Sequence, residues 1–374
     1  MRDLLNKLRT LYNHPGLVAG VIFSLIIGTL VLKIVTRDET QIVPVEDGKA
    51  MTGDSDASMS IQEAQAIMDA ERSFSLAFPL ACTLGEDCWI ARYVDREAGD
   101  TAADYTCGAS TQNGHKGTDI ALSDLSRMEA GVSVVAAASG EVLRLRDGVD
   151  DVSVRETGKD GVDGKECGNG IVLDHGNGWQ TQYCHLKEGS LAVKRGDRVE
   201  AGDILGQVGM SGLTEFPHLH FTTRLNKDVV DPFDGGKLET HCDADGQTLW
   251  QEKLSYQNFI PLPAQFSTEP KDLANMWQPS QRTMASDSPA MLLVGRGFHP
   301  HRSDKWHFTL TDPDGNVRLD EEIILEKNHQ IYVGYMGIEK PDGGFKPGIW
   351  KGEIHVDRGP WDDYDQTIEI EVIP

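Results

Sequence analysis

The chain has 374 residues, 39% of them hydrophobic, and a formal net charge of −24. That length suits two or three domains, and that apolar content is adequate for their cores. An acidic chain with no basic patch argues against nucleic acid as a partner and is repelled by anionic lipid surfaces.

The first element is an uncharged apolar run from Gly16 to Leu32, continuing through Val35. Its length approaches the roughly 20 residues a membrane helix needs. Arg2, Lys7 and Arg9 precede it, which keeps residues 1–15 in the cytoplasm and makes 16–35 an inner-membrane anchor with the remainder in the periplasm. A cleaved signal peptide, giving a secreted protein, is the competing reading. The anchor is favoured because Thr36-Arg37-Asp38-Glu39 follows the run with no small-x-small cleavage site.

Residues 36–58 are polar and read as a tether. The pattern over 59–77 predicts a helix, with Ser60 and Glu63 placed as a capping box. A cysteine-bearing stretch then runs to about Tyr105, so 36–103 is linker, helix and connection. Six cysteines, Cys82, Cys88, Cys107, Cys167, Cys184 and Cys242, lie beyond the anchor. An even number in an oxidising compartment predicts disulfides, with 15 possible pairings. Cys82 and Cys88 are close enough to close a local loop.

From Cys107 to Phe233 short apolar segments alternate with glycine turns. Val132–Ala138 and Gly140–Leu145 read as strand, turn, strand. Residues 146–168 read as a long acidic surface loop. Ile171–Asp174 and Trp179–His185, joined through Gly176-Asn177-Gly178, predict a hairpin. Residues 262–288 are rich in Pro, Ser, Gln and Thr with little periodicity. Beyond Ala290, β segments recur at 291–294, 306–310, 330–333, 350–355 and 367–372, separated by turns such as Pro313-Asp-Gly315. That spacing predicts a β-sandwich. Trp306, Trp350 and Trp361 fill its core or, if exposed, stack on sugar rings.

The chemistry lies among the histidines. His218-Leu219-His220 places two imidazoles on one face of a strand, and a His115-Lys-Gly-Thr-Asp119 unit stands about a hundred residues earlier. A catalytic zinc site takes three protein ligands and keeps the fourth position open. His115, Asp119 and one histidine of the His-Leu-His pair supply such a set. The other, together with His185, leaves two imidazoles for proton transfer and oxyanion stabilisation. A structural zinc site needs four ligands and no such neighbours. His175 falls in the hairpin turn with a structural role. His299-Pro-His301 is assigned to the surface.

Several motifs in series resemble the lysostaphin-type, or LytM-domain, zinc endopeptidases. They are Asn113-Gly-His115-Lys-Gly117-Thr-Asp119, Val135-Ala-Ala-Ala-Ser-Gly140, Asn169-Gly-Ile-Val-Leu-Asp-His175-Gly-Asn-Gly178, Tyr183-Cys-His185-Leu186, Gly202-Asp-Ile-Leu-Gly206 and Pro217-His218-Leu-His220-Phe221. The resemblance covers residues 104–236, about a third of the chain. It implies Zn2+ held by His115, Asp119 and His220, with His185 and His218 as the catalytic pair. Cys184, Phe216, Thr222 and the long 146–168 segment depart from the family pattern, which bears on the groove walls more than on the metal.

The fold expected is therefore mainly β. A LytM-type antiparallel sheet domain occupies 104–262 and a C-terminal β-sandwich 263–374, behind an N-terminal transmembrane helix. The resemblance implies hydrolysis of peptide cross-links in bacterial peptidoglycan. A non-catalytic LytM-type regulator of wall amidases and a protease of envelope proteins are the alternatives. Peptidoglycan peptide stems and the inner membrane are the expected partners.

Overall fold

The computed structural model describes residues 74–238, 240–272 and 274–374. The expected anchor at 16–35, the tether and residues 59–73 of the expected helix lie outside the described residues. Among the described residues, no helix is long and apolar enough to cross a membrane. Residues 74–77, the end of the expected helix, are extended. Leu76 N donates to Leu249 O and Ala77 N to Ala137 O, so tertiary pairing takes the backbone bonds a helix needs.

The architecture is mainly β. Ten strands build the first lobe: β1 Cys88–Arg92, β2 Thr118–Leu122, β3 Ser133–Val135, β4 Gly140–Arg146, β5 Asn169–Gly176, β6 Trp179–Leu186, β7 Arg198–Val199, β8 Ile204–Gln207, β9 His218–Leu225 and β10 Asp228–Val230. Eight form one antiparallel sheet in the order β1-β2-β9-β6-β5-β4-β7, with β10 beside β9. The expected hairpin is β5–β6. The expected partnership of the two segments around Ser139 does not occur. β3 pairs with β8 in a separate small sheet, while β4 pairs with β5 and β7. The turn at Ala136–Ser139 thus carries the chain between sheets instead of closing a hairpin.

The sheet has one apolar face. Along β9, Leu219 and Phe221 are fully buried in a core with Ile120, Ile171, Leu173, Tyr183 and Trp250. Burying such a side chain stabilises the fold by about 1.5–3 kcal/mol. The intervening residues of β9, at 218, 220, 222 and 224, share the opposite face. Two short helices precede β5 or follow β2: α1 Leu125–Ala130 is capped by Asp124, and α2 Val154–Thr157 lies inside the expected 146–168 loop.

The second lobe continues with β11 Ile260–Ser267, β12 Thr283–Ala285, β13 Ala290–Phe298, β14 Lys305–Thr311, β15 Val317–Ile324, β16 Ile331–Glu339, β17 Gly348–Asp357 and β18 Tyr364–Ile373. They make a three-stranded sheet, β11-β13-β16, and a five-stranded sheet, β12-β18-β17-β14-β15. Trp306, Phe308, Trp350 and Phe266 fill the core between them. Trp306 and Trp350 are therefore core residues, whereas Trp361 is 41% exposed. β11 and β12 occupy sequence that shows little periodicity, and Pro261 and Pro263 sit in β11 at the sheet's edge, where a missing donor is tolerated.

A third apolar cluster joins the lobes. It combines Trp89, Ala91, Ala121 and Phe216 with Ile260, Leu262, Met276, Trp277 and Phe298. Three disulfides are present: Cys82–Cys88, Cys107–Cys242 and Cys167–Cys184. The first is the local loop expected from spacing. Contrary to the surface assignment, His299 is buried at the junction of the lobes, with Nε2 2.6 Å from the Ala91 carbonyl. His175 is structural, facing the Ser139 carbonyl at 2.8 Å and the Thr181 hydroxyl at 2.7 Å.

Candidate active site

Two adjacent strands carry most of the site. β2 and β9 pair so that Asp119 lies opposite His220 and Ala121 opposite His218. Alternation along β9 aims His218 and His220 at the same side, as the even spacing requires. The same reasoning fails for His115 and Asp119, because His115 precedes the strand. It is brought round by a turn instead: Gly114 N donates to the Asp95 carboxylate at 2.8 Å, and His115 N donates to Gln112 O at 3.0 Å. Gly117 lets this turn lie against β9. A Cβ there would stand 2.6 Å from His220 Nε2 and 2.7 Å from Phe221 O, which no side chain tolerates.

His185 reaches the cleft by a different route. It follows Cys184, which already faces the cleft, so regular alternation would send His185 into the core. The β5–β6 register breaks between Asn169 and Ile171, and His185 takes φ +62°. Such a bulge re-aims a side chain. Cys184 and His185 consequently both line the cleft, and the Cys167–Cys184 bridge holds the segment whose Cys167 carbonyl accepts from His185 N at 2.9 Å.

The hydrogen bonds assign the imidazole nitrogens. His115 Nδ1 faces the Tyr93 carbonyl at 2.6 Å, His185 Nδ1 the Ser211 carbonyl at 2.7 Å, and His218 Nδ1 the Phe216 carbonyl at 2.9 Å. A carbonyl only accepts, so Nδ1 carries the proton in each ring and the Nε2 lone pair faces the cleft. His220 is reversed: Nε2 faces the Thr222 hydroxyl at 3.1 Å and Nδ1 faces Asp119 Oδ1 at 2.8 Å. His115 Nε2 lies 3.0 Å from the same oxygen, and His218 Nε2 3.5 Å.

His115, Asp119 and His220 thus present one donor atom each within a 4.8 Å circle. Two imidazole lone pairs and a carboxylate oxygen are a donor set for zinc, and each ligand is oriented by a second contact. The other group of this kind among the described residues, Cys82, Asp87 and Cys88, contains a disulfide and offers no thiolate. His185 and His218 stand beside the triad, with ring centroids 4.7 Å apart, and the His185 ring is 5.9 Å from that of His220. The five residues expected from sequence therefore come together in one cleft of about 670 Å³.

Burial pushes His185 well below the usual imidazole range, reinforced by His218 and His220. It lowers His220 as well. Burial alone would raise the Asp119 carboxyl, but the imidazoles of His115 and His218 outweigh it and hold the group well below the carboxylate range. Burial disfavours charge on His115 too, but the charge and hydrogen bond of Asp119 outweigh it and raise that imidazole. The site therefore presents a charged carboxylate with His185 and His220 held towards the neutral form that binds a divalent cation.

Some functional neighbours carry no motif. Arg92, at the end of β1, places Nη1 3.4 Å from Asp119 Oδ2 and its guanidinium 5.5 Å from the Phe216 ring. Lys116, Lys159 and Arg224 also line the cleft, facing Glu166 and Glu215, so its walls carry charges of both signs. Thr214 Oγ1 is 3.0 Å from His218 Nδ1. Asn113 is exposed.

Residues 113–232 match the model of Peptidase family M23. That part of the chain is an M23 peptidase domain. The DD-carboxypeptidase/endopeptidase Mpg of Neisseria meningitidis serogroup B is 33% identical over 106 residues, 28% of this chain and 22% of that protein. The peptidoglycan DD-endopeptidase ShyA of Vibrio cholerae is 31% identical over 107 residues, 29% of this chain and 19% of that protein. The matches span about a fifth of these relatives' lengths. The catalytic domain of lysostaphin from Staphylococcus simulans is 21% identical, covering 45% of this chain and 93% of that one, with a TM-score of 0.24.

Proposed function

We propose that the chain is a zinc metalloendopeptidase that hydrolyses peptide cross-links of bacterial peptidoglycan. The observation that carries this reading is the convergence of His115 Nε2, Asp119 Oδ1 and His220 Nδ1, with two further imidazoles beside them. The M23 match and the endopeptidase names of the relatives support it. His115, Asp119 and His220 are the metal ligands. When bound there, zinc supplies a Lewis acid that acidifies water and polarises a carbonyl.

The chain's own residues do the rest. His185 and His218 both turn Nε2 to the cleft, and burial holds His185 towards the neutral form that accepts the proton of an attacking water. Once protonated, the imidazole donates to the oxygen of the tetrahedral adduct or to the departing amine. Their Nδ1–H groups, held by the Ser211 and Phe216 carbonyls, keep each ring in the orientation that does this.

In this reading residues 16–35 anchor the protein in the inner membrane, the first lobe, which extends the expected 104–262 unit back to β1, is the peptidase domain in the periplasm, and the strands from β11 onward form the C-terminal sandwich. The test uses the full chain in detergent, with metal analysis and digestion of purified cross-linked muropeptides followed by mass spectrometry. One zinc per chain and new peptide ends at the cross-link are expected. Zinc-loaded protein that leaves every muropeptide intact would overturn the proposal, and metal-free, inactive protein would favour the amidase regulator.

A further inference from the structure

We propose that the C-terminal β-sandwich positions His218 through a stack of aromatic rings pivoting on Phe216. This rests on the catalytic role just assigned to His218. Phe216 has an aromatic ring on each side, His218 on one and Trp277 on the other.

The turn before β9 has no ladder of its own, because residues 215–217 are bends. The imidazole that follows is bonded at Nδ1 to Phe216 O and Thr214 Oγ1, which leaves the tilt of its plane to a contact on the ring face. The Phe216 ring lies on His218 with centroids 4.4 Å apart and planes 29° apart. It also lies on Trp277, at 4.9 Å and 20°, and packs against Phe298 at 5.5 Å. Phe216, Trp277 and Phe298 are 2%, 3% and 0% exposed. His218 is thus the outermost ring of a stack whose far end belongs to the second lobe.

The lobe is fastened to the same end of the sheet by polar contacts. Leu125 N donates to Trp277 O at 2.9 Å. Buried Arg296, on β13, donates through Nη1 to Ser123 O at 3.1 Å and Met276 O at 2.8 Å, and through Nη2 to Pro263 O at 2.9 Å. Ser123 directly follows β2, the strand that carries Asp119. Leu122 N in turn donates to Pro217 O at 3.0 Å, beside Phe216. The end of β2, the 214–217 turn and Trp277 therefore form one packed unit.

A ring stack restrains the tilt of an imidazole while its Nδ1 bonds restrain rotation. Removing the far ring opens space behind Phe216 and lets His218 tilt away from the reacting carbonyl. A displacement of about 1 Å at a catalytic group costs up to about 100-fold in rate. Trp277 and Phe298 touch no substrate; they are positioning residues.

The test compares Trp277→Ala, Trp277→Phe and Phe216→Leu in the full chain. The readouts are kcat and KM on a cross-linked muropeptide, zinc content, and amide hydrogen exchange of the 213–219 segment without substrate. For Trp277→Ala the expected result is a kcat reduced about 10- to 100-fold, KM within about twofold, full zinc content and exchange about 10-fold faster in that segment. Trp277→Phe keeps an aromatic face and should restore most of kcat. Phe216→Leu keeps the apolar contact but loses the stack and should behave like Trp277→Ala, which covers the case in which that variant does not fold. Unchanged kcat and exchange in a folded Trp277→Ala or Phe216→Leu overturn the proposal. So does a loss of kcat that only tracks the folded fraction. If the wild type cleaves nothing, the catalytic reading has failed, and the exchange measurement still decides whether the stack holds the turn.

Discussion

His299 makes the junction of the two lobes sensitive to acid, and the size of the effect follows from its surroundings. The ring is buried between β13 and β1 and donates from Nε2 to the Ala91 carbonyl. Burial, reinforced by Arg92 and His301 and opposed by that bond and by Asp104, lowers its pKa from 6.5 to about 4. The folded protein therefore holds the neutral form, while the unfolded chain binds a proton more readily. Stability from this group is complete above pH 6.5 and declines as pH falls towards 4. At ~1.36 kcal/mol per pKa unit the full span is about 3 kcal/mol, and about 2 kcal/mol of it is gone by pH 5. His299→Gln retains a donor for Ala91 but cannot titrate. Urea unfolding of both proteins at pH 7.5 and pH 5.0 isolates the contribution, because every other group cancels in the difference. The wild type should lose about 2 kcal/mol more than the variant on acidification. Equal losses in the two proteins would show that the imidazole is hydrated or already charged in the fold, and the reasoning would be wrong.

Other outcomes follow from the cleft. His220→Ala should lose bound zinc, whereas His218→Ala should keep it and lose most turnover; metal analysis alongside muropeptide digestion separates the two, and a metal-free His218→Ala would contradict the roles assigned. Thr222→Val removes the acceptor for His220 Nε2 and should weaken metal affinity about 10-fold, measured by competition with a chelator; an unchanged affinity would mean that the hydroxyl does not orient the ring. Replacing Cys167 and Cys184 together by serine opens a loop of 17 residues and should lower unfolding free energy by about 3 kcal/mol. It should also lower kcat, since the Cys167 carbonyl fixes the His185 backbone.

What the sequence revealed was set by local rules. The even spacing of His218 and His220 placed them on one face because β9 is a regular strand. The hairpin around Gly176-Asn177-Gly178 was legible because its turn chemistry is local. His185 was picked out as a spare imidazole ending a strand, but its direction was not legible, since it depends on a register break and a positive φ that no periodicity encodes. His115 converges on Asp119 through a turn pinned by Asp95, not along a strand. β11 was hidden by its prolines, which mark an edge position only once the neighbouring strand is known. Buried His299 looked like a surface residue because the first lobe that covers it, with Ala91 on β1, is distant in sequence. Arg92 and Phe216 acquire meaning from neighbours on other elements, such as Asp119, Trp277 and Phe298, that no local motif links to them.

The bridge between Cys107 and Cys242 spans 135 positions and so closes a covalent ring that contains all five side chains of the cleft. A single peptide-bond scission anywhere inside that ring, for example in the exposed stretch around Lys159, leaves both pieces tethered. They part only when a reductant acts as well. Damage to one connection is thereby converted from loss of the catalytic half-sheets into a nick, and a nicked protein would run as one band until it is reduced.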